Sequence, residues 1–253
     1  MPLTTGLHAF AGPGSCADWV QRLQACHEHW FRRDDHGLFT LGAAAYLDAP
    51  DGATASWFGV PTSPVHYTAV VERLNPLLWS TFADLYGRLR QVLARHLGVA
   101  ASDIVYSEHK ALPGFHIHGP HPAYGRQSNH VPHFDRPYAA LDWRPEGALE
   151  GCDLDGLPQL SFTLTLQLPA AGGGLRIWPL LRSEAVALPP AELKVRLKGE
   201  HAKQVDYAVG SLLLHTGQEL HQIRPWVAQP FDRERITLQG HGLAIAGRWI
   251  LYW

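Results

Sequence analysis

Ser161-Phe162-Thr163-Leu164-Thr165-Leu166-Gln167-Leu168 alternates polar and apolar side chains without a break. On an extended strand successive side chains point to opposite faces, so Ser161, Thr163, Thr165 and Gln167 share one face and four large apolar residues share the other. The plainest reading is a sheet with one face in water. If the apolar face meets helices instead, the hydroxyl and amide face lines the mouth of a barrel, where a polar cofactor could sit. Ala170-Ala171-Gly172-Gly173-Gly174 then turns the chain into a further strand over Leu175 to Pro179.

Outward from that strand, most of the chain after Asp103 reads as strand and turn. The strands fall over Ile104 to Ser107, Gly114 to His118, Gln204 to Tyr207, Ser211 to His215, Ile236 to Gln239 and Trp249 to Tyr252. Ahead of them the pattern is helical. Residues 1–14 read as a loose entry. Ser15 is placed to cap a helix whose apolar positions Trp19, Val20, Leu23, Cys26, Trp30 and Phe31 recur at helical spacing, with Arg32 to Gly37 ending it. Leu38 to Leu47 reads as a strand or short apolar element, and Ala49 to Pro64 as turn-rich. Asn75-Pro76 predicts the start of a second helix, with Leu78, Phe82, Leu85, Leu89, Val92 and Leu93 on one face and Gly98 as its stop. Its apolar face needs a sheet to cover. The expectation is a mainly β protein with N-terminal helices, a jelly roll buttressed by α-helices. We read 1–253 as one domain, with 1–100 as helical support and 101–253 as the core.

Composition narrows the function classes. Lysine plus arginine number 21 against 23 acidic residues, a formal net charge of -2 that offers no electrostatic handle on nucleic acid or an anionic membrane. No apolar run is long enough to span a bilayer. The 3 cysteines are odd in number and lack paired spacing, which argues against a disulfide framework and for a reducing, cytoplasmic location. Histidine is the unusual count at 16, which raises the expectation of a metal site without locating it.

His133 and Asp135 lie two apart, so on extended backbone both side chains face the same way and can close on one metal ion. Histidine is abundant enough that one such pair is a chance expectation, so its context carries the weight. The later stretch Gly210 to His221 offers His215 and His221 as a third ligand. Arg233, Arg235 and Thr237 follow with common parity, and a planar guanidinium suits a carboxylate through two parallel hydrogen bonds. Two imidazoles and a carboxylate with open positions are the donor set of non-haem iron(II) oxygenases.

The order His133-Phe134-Asp135, then Leu164 to Pro169 with its glycine turn, then Gly210 to Pro225, then Arg235-Ile236-Thr237, resembles the iron(II)/2-oxoglutarate-dependent dioxygenase superfamily. It is most similar to the double-stranded β-helix core of the prolyl-hydroxylase-like and small-molecule-hydroxylating branches. The likeness spans about residues 104 to 252, and residues 1 to 100 match only as generic helical support. The resemblance implies Fe(II) held by His133, Asp135 and His221, with O2 and 2-oxoglutarate as co-substrates and Arg235 and Thr237 on the distal carboxylate of the oxo acid. Arg233 fits the shorter spacing of other branches. The position of His221 before Ile223 and Pro225 selects it over His215, which reads as a supporting histidine.

The implied reaction is hydroxylation, or another oxidation, of an unactivated C–H bond in a small molecule or amino-acid-like substrate, with release of succinate and CO2. Asp135 stands where halogenating relatives carry Gly or Ala, which favours hydroxylation. His116 and His118, of common parity, and Arg176 and Trp178 are candidates for lining the substrate pocket, although buried or surface packing is the ordinary role of such residues. The long loops Gly119 to Pro132 and Ala139 to Pro158 have lengths associated with lids or binding. Two other readings remain at this level: hydroxylation of a protein or peptide side chain, and a non-catalytic metal-binding jelly roll.

Overall fold

The computed structural model describes residues 5–49, 63–121, 131–169, 171–199, 201–227 and 233–253. Helix α1 (Pro13–Ala25) buries Cys16, Trp19, Val20 and Leu23. Its N-cap is Gly12 with a proline at the helix start, so Ser15 already lies inside the helix and does not cap it. The helix also stops earlier than its apolar periodicity suggests, because Phe31–Arg32 is extended. After a short helix α2 (Ala45–Asp48) comes α3 (Pro64–Leu97), 34 residues long.

Helix α3 corrects the Asn75-Pro76 start. It begins at Pro64, where the Ser63 hydroxyl accepts the His66 N–H, and it carries Pro76 in its interior. Asn75 serves a tertiary role: its amide donates to the Lys110 carbonyl at 2.8 Å and accepts from the Leu112 N–H at 3.0 Å, tying the helix to the approach of the next strands. The six residues expected on the apolar face are all buried. Gly98, at φ 67, ends the helix in the left-handed conformation a glycine adopts freely. The turn-rich reading of Ala49 to Pro64 falls largely on 50–62, outside the described residues.

Among the described residues the strands are β1 (Gly6–Ala9), β2 (Phe31–Arg32), β3 (Leu38–Leu41), β4 (Ile104–Tyr106), β5 (Gly114–His118), β6 (Gln159–Gln167), β7 (Ala171–Gly172), β8 (Leu175–Leu181), β9 (Lys203–Val205), β10 (Ser211–His215), β11 (Glu219–Ile223), β12 (Trp226–Val227), β13 (Arg235–Ile245) and β14 (Arg248–Tyr252). A 9-stranded sheet runs β1-β10-β6-β13-β5-β3-β2, with β14 joined to β13 and β4; smaller sheets run β11-β8-β9 and β12-β7. The predicted loose entry is therefore partly wrong, since Gly6–Ala9 pairs antiparallel with β10, Leu7 opposite Leu213. Likewise, the region after Asp103 is not only strand and turn. It includes helices over Arg182–Ala185 and Pro190–Gly199, the second with no fully buried residue and so without the apolar stripe that marks a helix in sequence.

Phe162, Leu164 and Leu166 of β6 join the main core with Leu23 of α1 and Leu78, Phe82 and Leu85 of α3. The apolar face of β6 thus meets the helices, and its polar face, with Ser161, Thr163 and Thr165 buried, turns into the interior. Residues 137–156 carry short turns of helix and pack Tyr138 and Trp143 against Leu243, Ile250 and Tyr252. A buried Lys110–Glu146 ion pair at 2.8 Å fastens that segment. No helix among the described residues is long and apolar enough to cross a membrane.

Candidate active site

His133 and Asp135 are placed by pairing across the mouth of the barrel. His133 and His221 form an antiparallel bridge, and the Asp135 N–H donates to the Gly217 carbonyl at 2.9 Å. Alternation then sends His133 and Asp135 inward and Phe134 outward, where it packs against Trp178, Leu180 and Leu220. Gly217 makes the close approach possible. It sits at φ 73, and a Cβ there would stand 2.7 Å from Ser161 Oγ and 2.9 Å from Asp135 Cβ.

One ligand atom each from His133, Asp135 and His221 lies within 4.8 Å of the others, the only such group of three or more found among the described residues. His221 Nε2 is 3.4 Å and His133 Nε2 3.8 Å from Asp135 Oδ1. Both imidazoles spend their other nitrogen on backbone: His133 Nδ1 is 2.8 Å from the Val131 carbonyl and His221 Nδ1 2.8 Å from the Glu219 carbonyl. A carbonyl only accepts, so each ring carries a proton on Nδ1 and turns Nε2 to the shared point, where it binds a metal when bare and pairs with Asp135 when protonated. The donors are hard or borderline, there is no thiolate, and His133 is 45% exposed, leaving one side open. This set fits Fe(II) with room for further ligands.

The electrostatics agree with a cation site. Burial works to raise Asp135, yet the charge and hydrogen bond of His221, with His241 and His215 behind, hold it well below the usual carboxylate range. His221 moves the other way: burial lowers it, and Asp135 more than offsets that. His215 is pushed down to about 3, by burial first and then by His221. Its Nδ1 accepts the Gly217 N–H at 3.1 Å, and its ring stands edge-on to His221 at 4.8 Å. His215 therefore backs the cluster and braces the Gly217 turn.

The second half of the site lies along β13. Arg235 faces His118 in the register with β5, and Thr237 faces His116 there and Thr165 on β6. Directly paired residues share a face, so these side chains project together into the interior. Arg235 is fully buried, its guanidinium 5.3 Å from the Tyr207 ring and 5.0 Å from the Trp226 ring. Thr165 Oγ1 and Thr237 Oγ1 are buried without a hydrogen-bond partner. Two orphaned hydroxyls beside a buried cation fit a carboxylate, which accepts from all three.

The structure also separates residues that parity had grouped. Arg233 precedes β13 and is exposed. Arg176 pairs with Gln222 and Ile177 with His221, so Arg176 and Trp178 point away from the His133, Asp135 and His221 side chains. Trp178 is buried there, donating its indole N–H to the Leu197 carbonyl at 3.3 Å beneath the Pro190–Gly199 helix. His116 does reach the interior, where its Nε2 hydrogen-bonds the Tyr46 hydroxyl and its ring meets Trp253 edge-on. Of the loop Gly119 to Pro132, residues 122–130 lie outside the described residues.

Sequence reasoning missed His241, whose Nδ1 is 3.0 Å from Ser161 Oγ and 4.0 Å from Asp135 Oδ2. Continuing the alternation of β13 two residues past Gln239 would have found it. Tyr46, Tyr207 and Trp226 gave no comparable signal.

Comparison of the whole chain with solved structures gives a likeness to an N-substituted L-amino acid dioxygenase from Burkholderia ambifaria AMMD, in complex with alpha-KG. The TM-score is 0.55 at 15% identity, over 98% of this chain and 85% of that one. The chain has the fold of that dioxygenase. A looser likeness, TM-score 0.40 at 15% identity over 98% and 92% of the two chains, is to a Pseudomonas putida prolyl-4-hydroxylase; the fold assignment rests on the first. No protein-family model and no curated protein matches the sequence. The jelly-roll expectation is met, and with it the helical buttress.

Proposed function

We propose that this protein is a non-haem Fe(II)- and 2-oxoglutarate-dependent dioxygenase. It hydroxylates, or otherwise oxidises, an unactivated C–H bond of a small molecule or amino-acid-like substrate, and releases succinate and CO2. The observation that carries this reading is the meeting of the imidazole Nε2 atoms of His133 and His221 with the Asp135 carboxylate on the same interior that buries Arg235. His133, Asp135 and His221 would hold the metal, whose chemistry is the activation of dioxygen with electrons from the oxo acid. Arg235, Thr237 and Thr165 would bind the distal carboxylate of 2-oxoglutarate. The Trp226 and Tyr207 rings keep that charge pair out of water and so strengthen it. Its three free cysteines fit a reducing compartment, the cytoplasm.

Anaerobic titration of Fe(II) and then 2-oxoglutarate into the purified protein tests this. A weak charge-transfer absorption in the visible is expected once both are present, followed by succinate release on admission of air. Absence of that absorption in the wild type, or its persistence at full strength in Asp135→Ala, would sink the assignment.

A further inference from the structure

Arg235 is a long side chain at the first residue of its strand, and the pairing of β13 with β6 shifts register immediately afterwards, between Ile236 and Thr237. Backbone alone therefore fixes its guanidinium poorly. Three aromatic side chains fix it instead. The guanidinium lies over the Tyr207 ring and over the Trp226 ring. The third is His118, the last residue of β5 and the direct cross-strand partner of Arg235, with Nδ1 3.3 Å from Arg235 Nη1. His118 is itself 1% exposed, and its ring stands edge-on to Trp226 at 5.0 Å.

A guanidinium has donors and no acceptor, so His118 Nδ1 must be bare and accept, which places the imidazole proton on Nε2 and leaves the ring neutral. We propose that His118 is a positioning residue for the co-substrate arginine, a neutral acceptor that aims the Arg235 guanidinium without quenching its charge. This rests on the reading of Arg235 as the 2-oxoglutarate arginine. The choice of residue type follows from the chemistry. A carboxylate at position 118 would bind the guanidinium more strongly, but it would neutralise it and compete with the carboxylate of the oxo acid. An apolar residue would offer Nη1 no acceptor. A neutral imidazole restrains one N–H and leaves the positive charge to the ligand.

The test uses the full chain loaded with Mn(II), which is redox-silent with the oxo acid, and reads 2-oxoglutarate affinity by calorimetry alongside Mn(II) affinity. His118→Leu should weaken 2-oxoglutarate binding about ten-fold, the lower range for losing a partner that orients a ligating group. His118→Asn, whose side-chain oxygen can replace Nδ1, should restore most of it. His118→Asp, though the stronger acceptor, should bind 2-oxoglutarate more weakly than His118→Leu. Mn(II) affinity should hold in all three, which a general loosening of the barrel would not allow.

A wild-type-like affinity in His118→Leu or His118→Asp overturns the proposal, as does an Asn variant no better than Leu. Nitrogen NMR of wild-type His118 is a test independent of substitution: a proton on Nδ1 refutes the proposal, one on Nε2 supports it. If wild type binds 2-oxoglutarate and Arg235→Ala abolishes this while the His118 variants do not, only the His118 inference fails. If wild type does not bind 2-oxoglutarate, the reading of Arg235 falls and takes this one with it.

Discussion

His133 and His221 exchange both main-chain hydrogen bonds, His133 N–H to the His221 carbonyl at 2.9 Å and the reverse at 3.0 Å. Two imidazoles from distant parts of the sequence are thereby brought to a ring separation of 4.5 Å. Because main-chain pairing positions both histidines, ion binding should report on the side chains and not on folding.

Removal of single ligands should accordingly separate binding from support. Mn(II) at 100 times its dissociation constant should stabilise the wild type by about 2.7 kcal/mol, visible as a higher melting temperature. Asp135→Ala and His221→Ala should lose that shift. His215→Ala, with affinity reduced about ten-fold as for a group that braces a ligand without touching the ion, should keep about half of it at the same Mn(II) concentration. A His215→Ala protein that no longer binds, beside a His221→Ala protein that does, would reverse the assignment of the two histidines.

Gly217 should tolerate no side chain. At φ 73, with Ser161 Oγ and Asp135 Cβ closer than any Cβ can accept, Gly217→Ala should cost about 1–3 kcal/mol in urea unfolding and also weaken Mn(II) binding. Gly98, at φ 67 with open space around it, supplies the control. Gly98→Ala should cost about 1 kcal/mol, the left-handed penalty alone, and leave Mn(II) affinity untouched. Equal effects of the two on metal binding would show that the crowding at Gly217 is irrelevant.

Beneath the N-terminal helices, Arg33 and Asp48 form a buried bidentate pair with both contacts at 2.7 Å. Arg33 Nε also donates to Thr40 Oγ1, and the Ala44 N–H donates to Asp48. Asp48→Ala should destabilise by about 3–5 kcal/mol because it strands a buried guanidinium. Replacing both partners, Arg33→Met with Asp48→Leu, should recover a large part of that loss. Chemical denaturation of the two proteins decides it, and a double variant as unstable as the single one would refute the explanation.

Asp84 joins α3 to α1 by accepting from Arg22 at 2.9 Å and from the Trp19 indole at 2.8 Å. The Arg22 hydrogen bond, ahead of an opposing burial effect and helped by Trp19, holds its carboxyl down at about 2. A carboxyl depressed in the folded state stabilises fully above its unfolded pKa, about 3.9, and loses that contribution as pH falls toward the folded value. Asp84→Asn should therefore be less stable than wild type at pH 7, with the gap closing between about pH 5 and pH 2. Asp84 is half exposed, so the gap should be below about 1 kcal/mol. An unchanged gap across that range would exclude the carboxylate as its source.

Much of this was legible in the residues. Strict alternation in 161–168 determined which face of β6 is polar, because a strand has a side-chain period of two whatever surrounds it. The apolar face of α3 was equally plain, since helical periodicity survives a change of helix start. The start itself was hidden, because Asn75-Pro76 has the form of a cap, and only the docking of Asn75 on Lys110 and Leu112 shows its use. Arg176 and Trp178 were misplaced for a related reason: parity says that two residues share a face and never which face is inside.

By itself, the sequence determined the periodicities, the pairing of His133 with Asp135 on one side of the chain, and the supply of histidine and arginine for a metal and a carboxylate. Tertiary structure decided which of those residues meet. The bridge that faces His133 with His221, the glycine that admits Asp135, the inward turn of Arg235 and the outward turn of Trp178 all depend on registers between strands far apart in the chain. A register is a property of two strands and of the core they jointly bury, so neither strand's own sequence contains it.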